Sequence, residues 1–256
     1  MRPARLYRYR PLGVPVQRCT SSAEIELSER ERREKIVFEG SLYCPSRTQF
    51  NDPFDCIASS LEGISQKRLE EFIERRAMEA FPELSVAERR EKAQQLKLNP
   101  YEEIPRMTQE MADDLGILSL SEKRNNIVMW SHYANSHQGF CLEFDISKAP
   151  FGSAHPVRYQ QKRLYDLSAV HTNAKTLLLT KYKDWRYEEE WRIIAEKGGV
   201  TYPFPPDALT GVIFGCRMLE TDKVKVVNWI NQSPCTPLLY QARLSSRHFR
   251  LDIEGG

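Results

Sequence analysis

Polar and apolar residues alternate near the start of the chain. Leu6-Tyr7-Arg8-Tyr9-Arg10 has a period of two and predicts a short strand, with Arg8 and Arg10 on one face and Tyr7 and Tyr9 on the other. Ser41-Leu42-Tyr43-Cys44 predicts another strand, and the charged stretch Ser28 to Lys35 predicts a turn or two of helix before it. From 65 to 114 the period becomes helical. Ser65 can N-cap a helix carrying Leu69, Phe72, Ile73 and Ala80, Ser85 with Glu88 fits a capping box, and Asn99-Pro100 opens a third helix.

Beyond this zone strands and helices mix. Strands are expected at Gly116–Leu120, Gly139–Phe144, Glu188–Ala195, Gly211–Gly215 and Leu238–Leu244, the last closing the sheet. Helices are expected at Asn126–Ala134, Ser168–Lys181 and Thr221–Asn231, the last turning Val224, Val227 and Ile230 inward. Without regular βαβ spacing, this predicts an α+β fold. Its core is a mixed or antiparallel sheet with flanking helices, in one domain over 1–256 with an all-helical insertion at 65–114. The sequence contains neither GxGxxG nor a P-loop pattern.

Composition narrows the function classes. The chain has 256 residues, 41% hydrophobic and 28% charged, with 37 Lys+Arg against 35 Asp+Glu. Apolar runs such as Leu177-Leu178-Leu179 fall far short of the ~18 residues of a membrane span. The net charge of +2 conceals an uneven distribution: the glycine-free zone 65–114 has 9 basic and 12 acidic residues, leaving about +5 for the rest. A mildly basic remainder suits a small phosphate-bearing ligand better than a long nucleic acid. Cys19, Cys44, Cys56, Cys141, Cys216 and Cys235 show no CxxC spacing, and Met1 to Leu12 lacks the apolar core of a signal peptide. Reduced thiols in a cytoplasm are therefore expected. Cys141 and Cys216, in apolar runs, read as small core hydrophobes.

Four stretches could carry chemistry. In Trp185-Arg186-Tyr187-Glu188-Glu189-Glu190-Trp191-Arg192, strand alternation puts Glu188, Glu190 and Arg192 on one face. The arginine would favour ionisation of its nearer carboxylate, and mutual repulsion would raise the other. Such a pair can hold a cationic transition state or activate a nucleophile, or simply form a cross-strand salt bridge. In Trp130-Ser131-His132-Tyr133-Ala134-Asn135-Ser136-His137, the histidines are five apart, so they do not share a helical face as zinc ligands would. His132 or Tyr133 could instead stack on and hydrogen-bond a nucleotide. Phe50-Asn51-Asp52-Pro53-Phe54-Asp55 reads as a capped turn, or as two acids that bind Mg²⁺ or position an arginine. Arg8 and Arg10 suit bidentate phosphate contacts or a solvated edge.

Taken in order, Leu-Tyr-Arg-Tyr, Phe-Asn-Asp-Pro-Phe-Asp, Met-Trp-Ser-His-Tyr-Ala with His-Gln-Gly-Phe-Cys-Leu-Glu-Phe, and Trp-Arg-Tyr-Glu-Glu-Glu-Trp-Arg resemble the bacterial family called domain of unknown function 2971. The resemblance runs from Leu6 to about Gly215, with 65–114 as the variable region. Bacterial proteins of this look are often stress or phage-defence components. A looser resemblance links the first strand and the Glu-x-Glu strand to the ADP-ribosyltransferase fold. It implies that Arg8 contacts NAD, that Glu190 holds the nicotinamide ribose as an oxocarbenium-like state forms, and that Glu188 is the first acid of the pair. Ser119-Leu120-Ser121 stands where that fold carries a Ser-Thr-Ser strand.

The resulting expectation is an enzyme that cleaves the nicotinamide–ribose bond of NAD and passes ADP-ribose to a macromolecule or water. Arg8, Arg10, His132, Tyr133 and Arg192 would bind the cofactor, Glu190 and Glu188 would catalyse, and Asn51, Asp52 and Asp55 would shape a turn at the substrate. No resident metal is expected. Two alternatives stand beside it: a metal-dependent phosphodiesterase or nuclease using Asp52, Asp55, His132 and His137, and a non-catalytic module that senses a nucleotide or a protein.

Overall fold

The computed structural model describes residues 2–12, 34–80, 84–162 and 173–255. Its centre is an eight-stranded sheet of β1 (Arg5–Arg10), β3 (Gly116–Ser121), β4 (Phe140–Asp145), β5 (His155–Pro156), β8 (Glu190–Ala195), β10 (Leu209–Phe214), β11 (Leu238–Leu244) and β12 (Leu251–Gly255). The spatial order is β12-β11-β10-β4-β1-β3-β8-β5. Every neighbouring pair is antiparallel except β10 and β11. A parallel pair needs a crossover, supplied here by a helix at Glu220–Asn231. Two small ladders stand apart: β2 (Ser41–Cys44) with β9 (Val200–Pro203), and β6 (Arg158–Gln160) with β7 (Thr180–Tyr182). The α+β class therefore holds.

The strands bury alternate residues on opposite faces. Leu6, Leu118, Leu120, Phe140, Leu142, Phe144, Trp191 and Ile193 form one face. The crossover helix covers part of it with Val226 and Ile230. Tyr9, Cys141 and Ile213 point the other way, onto Met129 and Trp130 of the helix Ile127–Tyr133. Ile117 on that face packs with Cys56, Ala112 and Leu178.

The helices number α1 (Gln66–Ala80), α2 (Val86–Leu98), α3 (Pro100–Asp113), α4 (Ile127–Tyr133), α5 (Asn173–Leu178) and α6 (Glu220–Asn231). The first three form the expected all-helical stretch. Leu69, Phe72 and Ile73 join Ala93 and Ile104 in a separate small core. The capping box is in place: Glu88 N–H donates to Ser85 Oγ, and Ser85 N–H donates to Glu88 Oε2 at 2.8 Å.

Several expectations need correction. Residues 28–33 and 168–172 lie outside the described residues. The helix expected through Lys181 ends at Leu178, because Thr180–Tyr182 turns into a strand beside β6. β-branched and aromatic residues fit a pleated surface once a partner is there. The strand expected from Glu188 begins at Glu190. Residues Lys183–Glu188 wind as a 3-10 helix, and Glu189 leaves it in the left-handed region at φ 41°. In α6 Val226 and Ile230 face inward, whereas Val224 is 58% exposed. The helical phase is set by the i, i+4 pair that meets the sheet. Leu238–Leu244 is not the edge of the sheet, since β12 pairs outside it.

One departure from regular pairing creates the cavity. β1 pairs with β4 along its length, from Arg5↔Asp145 to Arg10↔Phe140, but meets β3 at a single register position, Tyr7↔Ser121. Continued pairing would set Pro11 against Ile117, and proline has no N–H to donate. Ile117 N–H donates instead to the Pro45 carbonyl at 2.9 Å. The two strands part, and a cleft opens between them.

Candidate functional site

The cleft has a volume of about 500 Å³, within the range of small-molecule sites. Tyr7 to Arg10 line it from β1 and Pro11 from just beyond the strand, and Ile117, Ser119 and Leu120 line it from β3. Asn51, Asp55, His132, Tyr133, Lys181, Glu188 and Glu190 complete it. The separation of two central strands thus lets residues from both faces of the sheet reach one space.

The acidic side is a buried ion cluster. Arg192, with no solvent exposure, donates Nε to Glu190 Oε1 at 2.7 Å and Nη2 to Glu190 Oε2 at 2.9 Å. It also takes Asp55 in two prongs and the Leu178 carbonyl at 2.7 Å. Lys181 Nζ bridges Glu188 Oε2 at 2.5 Å and Glu190 Oε2 at 3.1 Å, lies 3.6 Å from Asp55, and sits 4.9 Å from the centre of the Trp185 ring. Tyr133 Oη donates to Glu188 Oε1 at 2.5 Å. Tyr159 Oη accepts the Glu190 N–H at 2.8 Å.

These contacts divide the carboxylates. Burial by itself would raise the Glu190 carboxyl, but Arg192 and Lys181 outweigh it and hold the group down at about 2. Burial dominates at Glu188, with repulsion from Glu190 added, and its carboxyl is raised despite Lys181 and Tyr133. The split matches the expectation for two acids beside one arginine. Lys181 would be lowered by burial, yet the surrounding carboxylates raise it, so it remains an ammonium rather than a nucleophile. Three carboxylates (Asp55, Glu188, Glu190) meet two cations (Lys181, Arg192), leaving the cluster one negative charge.

The basic side is different. Arg10 donates Nε and Nη2 to the two oxygens of buried Glu34, both at 2.6 Å, and is thereby neutralised. Among the described residues Arg8 has no such partner. Its Nη1 is the buried side-chain nitrogen or oxygen without a hydrogen bond among the described residues. Burial and the neighbouring Arg10 push the Arg8 guanidinium down to about 9, which still leaves it cationic at neutral pH. An unsatisfied buried donor costs about 1–3 kcal/mol, and an incoming acceptor would remove that cost.

The structure brings Arg8, Arg10, His132, Tyr133, Glu188, Glu190, Asn51 and Asp55 to the cleft. It places the others elsewhere. Arg192 props Asp55 and Glu190 from behind and does not line the cleft. Asp52 accepts the Phe54 N–H at 2.8 Å and so closes the turn expected there. Of the two sharper readings of that turn, Asp55 positions an arginine. His132 Nδ1 lies 3.0 Å from Tyr187 Oη at the cleft mouth, whereas His137 turns away to Ser131 and Cys216. Among the described residues no group of three or more His, Cys, Asp or Glu side chains could hold a metal ion, so Asp52, Asp55, His132 and His137 do not gather into one.

Lys181 was not legible in sequence. It sits at the end of an apolar run that reads as helix, and a lone lysine there signals only a solvated tip. Glu188 reaches Glu190 by a different route from strand alternation. The left-handed Glu189 turns the chain so that both carboxylates converge on Lys181.

A family model described as a protein of unknown function, DUF2971, matches residues 129–193. This stretch contains most of α4, β4, β5 to β7 and the first part of β8, and with them Tyr133, Lys181, Glu188, Glu190 and Arg192. The chain is similar to that family over this segment. Neither the curated proteins nor the solved structures give a match. Among the described residues no helix is long and apolar enough to cross a membrane.

Proposed function

We propose that the cleft binds NAD and that the protein cleaves the nicotinamide–ribose bond, transferring ADP-ribose to a macromolecule or to water. The observation that carries this reading is the opposed charge of the two walls. Arg8, whose Nη1 has no hydrogen bond among the described residues, lies on one side, and a cluster with one excess negative charge lies on the other. A ligand with an anionic diphosphate and a cationic ring satisfies both. The reading rests on this charge pattern and on the residues, not on a matched fold.

Arg8 would take the diphosphate, with Arg10 beside it. Tyr133 and His132 would orient the ribose and the nicotinamide. As the C1′–N bond breaks, its electron pair passes to the pyridinium nitrogen and positive charge moves onto the ribose. The acidic cluster would stabilise that charge. Glu190 already accepts from Arg192 on both oxygens and from Lys181, so it holds the cluster's geometry. Each Glu188 oxygen has one partner and therefore room for a second. With its raised carboxyl, Glu188 would take the proton of the attacking hydroxyl or water.

Incubation with NAD should release nicotinamide, and Glu188→Gln and Glu190→Gln should each lose release by about a hundredfold or more. No release by the wild type, or equal release by the variants, overturns the catalytic reading. The near-complete occupancy of the Glu190 oxygens favours one second reading, a non-catalytic nucleotide-binding module. That reading expects calorimetric NAD binding that Arg8→Met abolishes, without nicotinamide release.

A further inference from the structure

A second group of reactive side chains lies outside the cleft. Cys216 Sγ lies 3.7 Å from His137 Nδ1, and His137 Nε2 lies 3.1 Å from Ser131 Oγ. Ser131 donates its hydroxyl hydrogen to the Ile127 carbonyl at 3.0 Å. Its oxygen is thus an acceptor for His137, which puts the ring proton on Nε2 and leaves Nδ1 as a free base facing the thiol. The His137 ring is held parallel to Trp130, at 12° with centroids 6.3 Å apart.

The backbone is distorted to build this arrangement. Asn135, Ser136 and His137 are successive left-handed residues, with φ of 47°, 52° and 70°. Left-handed residues other than glycine normally occur singly. The three together reverse the chain after α4, so that His137 N–H donates to the Trp130 carbonyl at 3.1 Å. The cysteine segment is locked against this turn. Gly215 N–H donates to Gly139 O at 2.9 Å, and Arg217 N–H donates to His137 O at 3.1 Å. A Cβ on Gly215 would lie 2.1 Å from the His137 carbonyl oxygen. Strain of this kind collects where a side chain must be held in one place. Cys44, Cys56, Cys141 and Cys235 are buried, whereas Cys216 is only half-buried.

We infer that Cys216 is a nucleophilic thiol served by His137 as general base, with Ser131 as a positioning residue, and that it is a modification site for hydroperoxides. His137 Nδ1 takes the thiol proton as the sulfur attacks a peroxide oxygen. An S–O bond forms as the O–O bond breaks, sulfur is oxidised by two electrons, and the leaving alkoxide or hydroxide takes the proton from His137. The products are a cysteine sulfenic acid and an alcohol or water. Burial raises the Cys216 thiol, a backbone hydrogen bond and the Arg217 cation offset part of that rise, and burial together with Arg217 lowers the His137 imidazole.

The test treats the full chain with hydrogen peroxide, traps sulfenic acid with dimedone and maps the adduct by mass spectrometry. Cys216 should be labelled in the folded chain at least ~10-fold faster than in the urea-unfolded chain. His137→Asn, whose side chain tolerates the left-handed backbone, should lose that advantage. Ser131→Ala should lose it in part, and Ser131→Thr should restore it. Slower labelling in the folded chain than in urea, or an unchanged rate in folded His137→Asn, overturns the proposal.

Discussion

Arg192 and Asp55, 137 residues apart in sequence, form a two-pronged ion pair without contact with bulk water: Nη1 to Oδ1 at 3.0 Å and Nη2 to Oδ2 at 2.6 Å. The pair ties the turn after Asn51, which lines the cleft, to the middle of β8. Removing one member of a buried pair strands the other charge, at a typical cost of about 3–5 kcal/mol. Asp55→Ala and Arg192→Ala should each lower stability by that order in urea unfolding. The double variant should lose much less than the sum of the two.

Arg8 should behave oppositely. Its buried Nη1 has no partner among the described residues, so that donor is desolvated without a hydrogen bond, and the nearby Cys44 and Glu34 offset only part of the cost of burying the guanidinium. Arg8→Met keeps the apolar stem and removes the charge. Thermal unfolding should show unchanged or higher stability, by up to about 1–3 kcal/mol, while NAD binding measured by calorimetry is lost. A residue that costs stability and is needed only for the ligand leaves this signature.

Acid should act through Glu190. Its carboxyl is held at about 2 against an ordinary value of 4.5, so the ionised form is the one the fold favours. That contribution is complete above about pH 4.5 and disappears as the pH falls towards 2, where the unfolded chain takes up the proton first. Glu188, whose carboxyl is raised, acts with the opposite sign and at higher pH: its penalty is relieved as the pH falls to about 4.5, before the Glu190 contribution begins to go. The urea midpoint of the wild type should fall through this window, and the fall should be smaller for Glu190→Gln.

Tyr133 sets the working range of the proposed base. Its hydroxyl donates to Glu188 and stabilises the ionised carboxylate, which lowers the Glu188 carboxyl against the rise caused by burial. In Tyr133→Phe that donor is gone, so the carboxyl should rise further. The acidic limb of the pH profile of nicotinamide release should move to higher pH, with the maximum rate reached later. An unmoved limb would separate Glu188 from the base role.

Gly139 joins the α4 turn to β4 and packs against the backbone of β1. A Cβ there would lie 2.1 Å from the Arg10 carbonyl oxygen, which belongs to a central strand. Neither backbone can move without breaking sheet pairs. Gly139→Ala should cost about 3 kcal/mol or more and lower the yield of folded protein, as checked by near-ultraviolet circular dichroism.

The sequence by itself determined the elements whose cause is local. Period-two alternation placed Leu6 and Tyr9 in opposite cores, Ser85 and Glu88 capped α2, and Asn126 capped α4 by accepting the N–H groups of Val128 and Met129. It also marked Glu188, Glu190 and Arg192 as a group whose acids would separate in acidity. Only the tertiary structure decided what surrounds them. Lys181 reaches Glu188 and Glu190 because a three-residue parallel ladder converts the end of an apolar run into strand. Asp55 and Arg192 meet across most of the chain, and long-range ion pairing leaves no periodic trace in sequence. The cleft depends on β1 and β3 meeting at Tyr7↔Ser121 and then parting, with Pro11 unable to donate and Pro45 supplying an acceptor to Ile117. Local patterning chose the strands, but the competition among backbone partners chose where two of them separate.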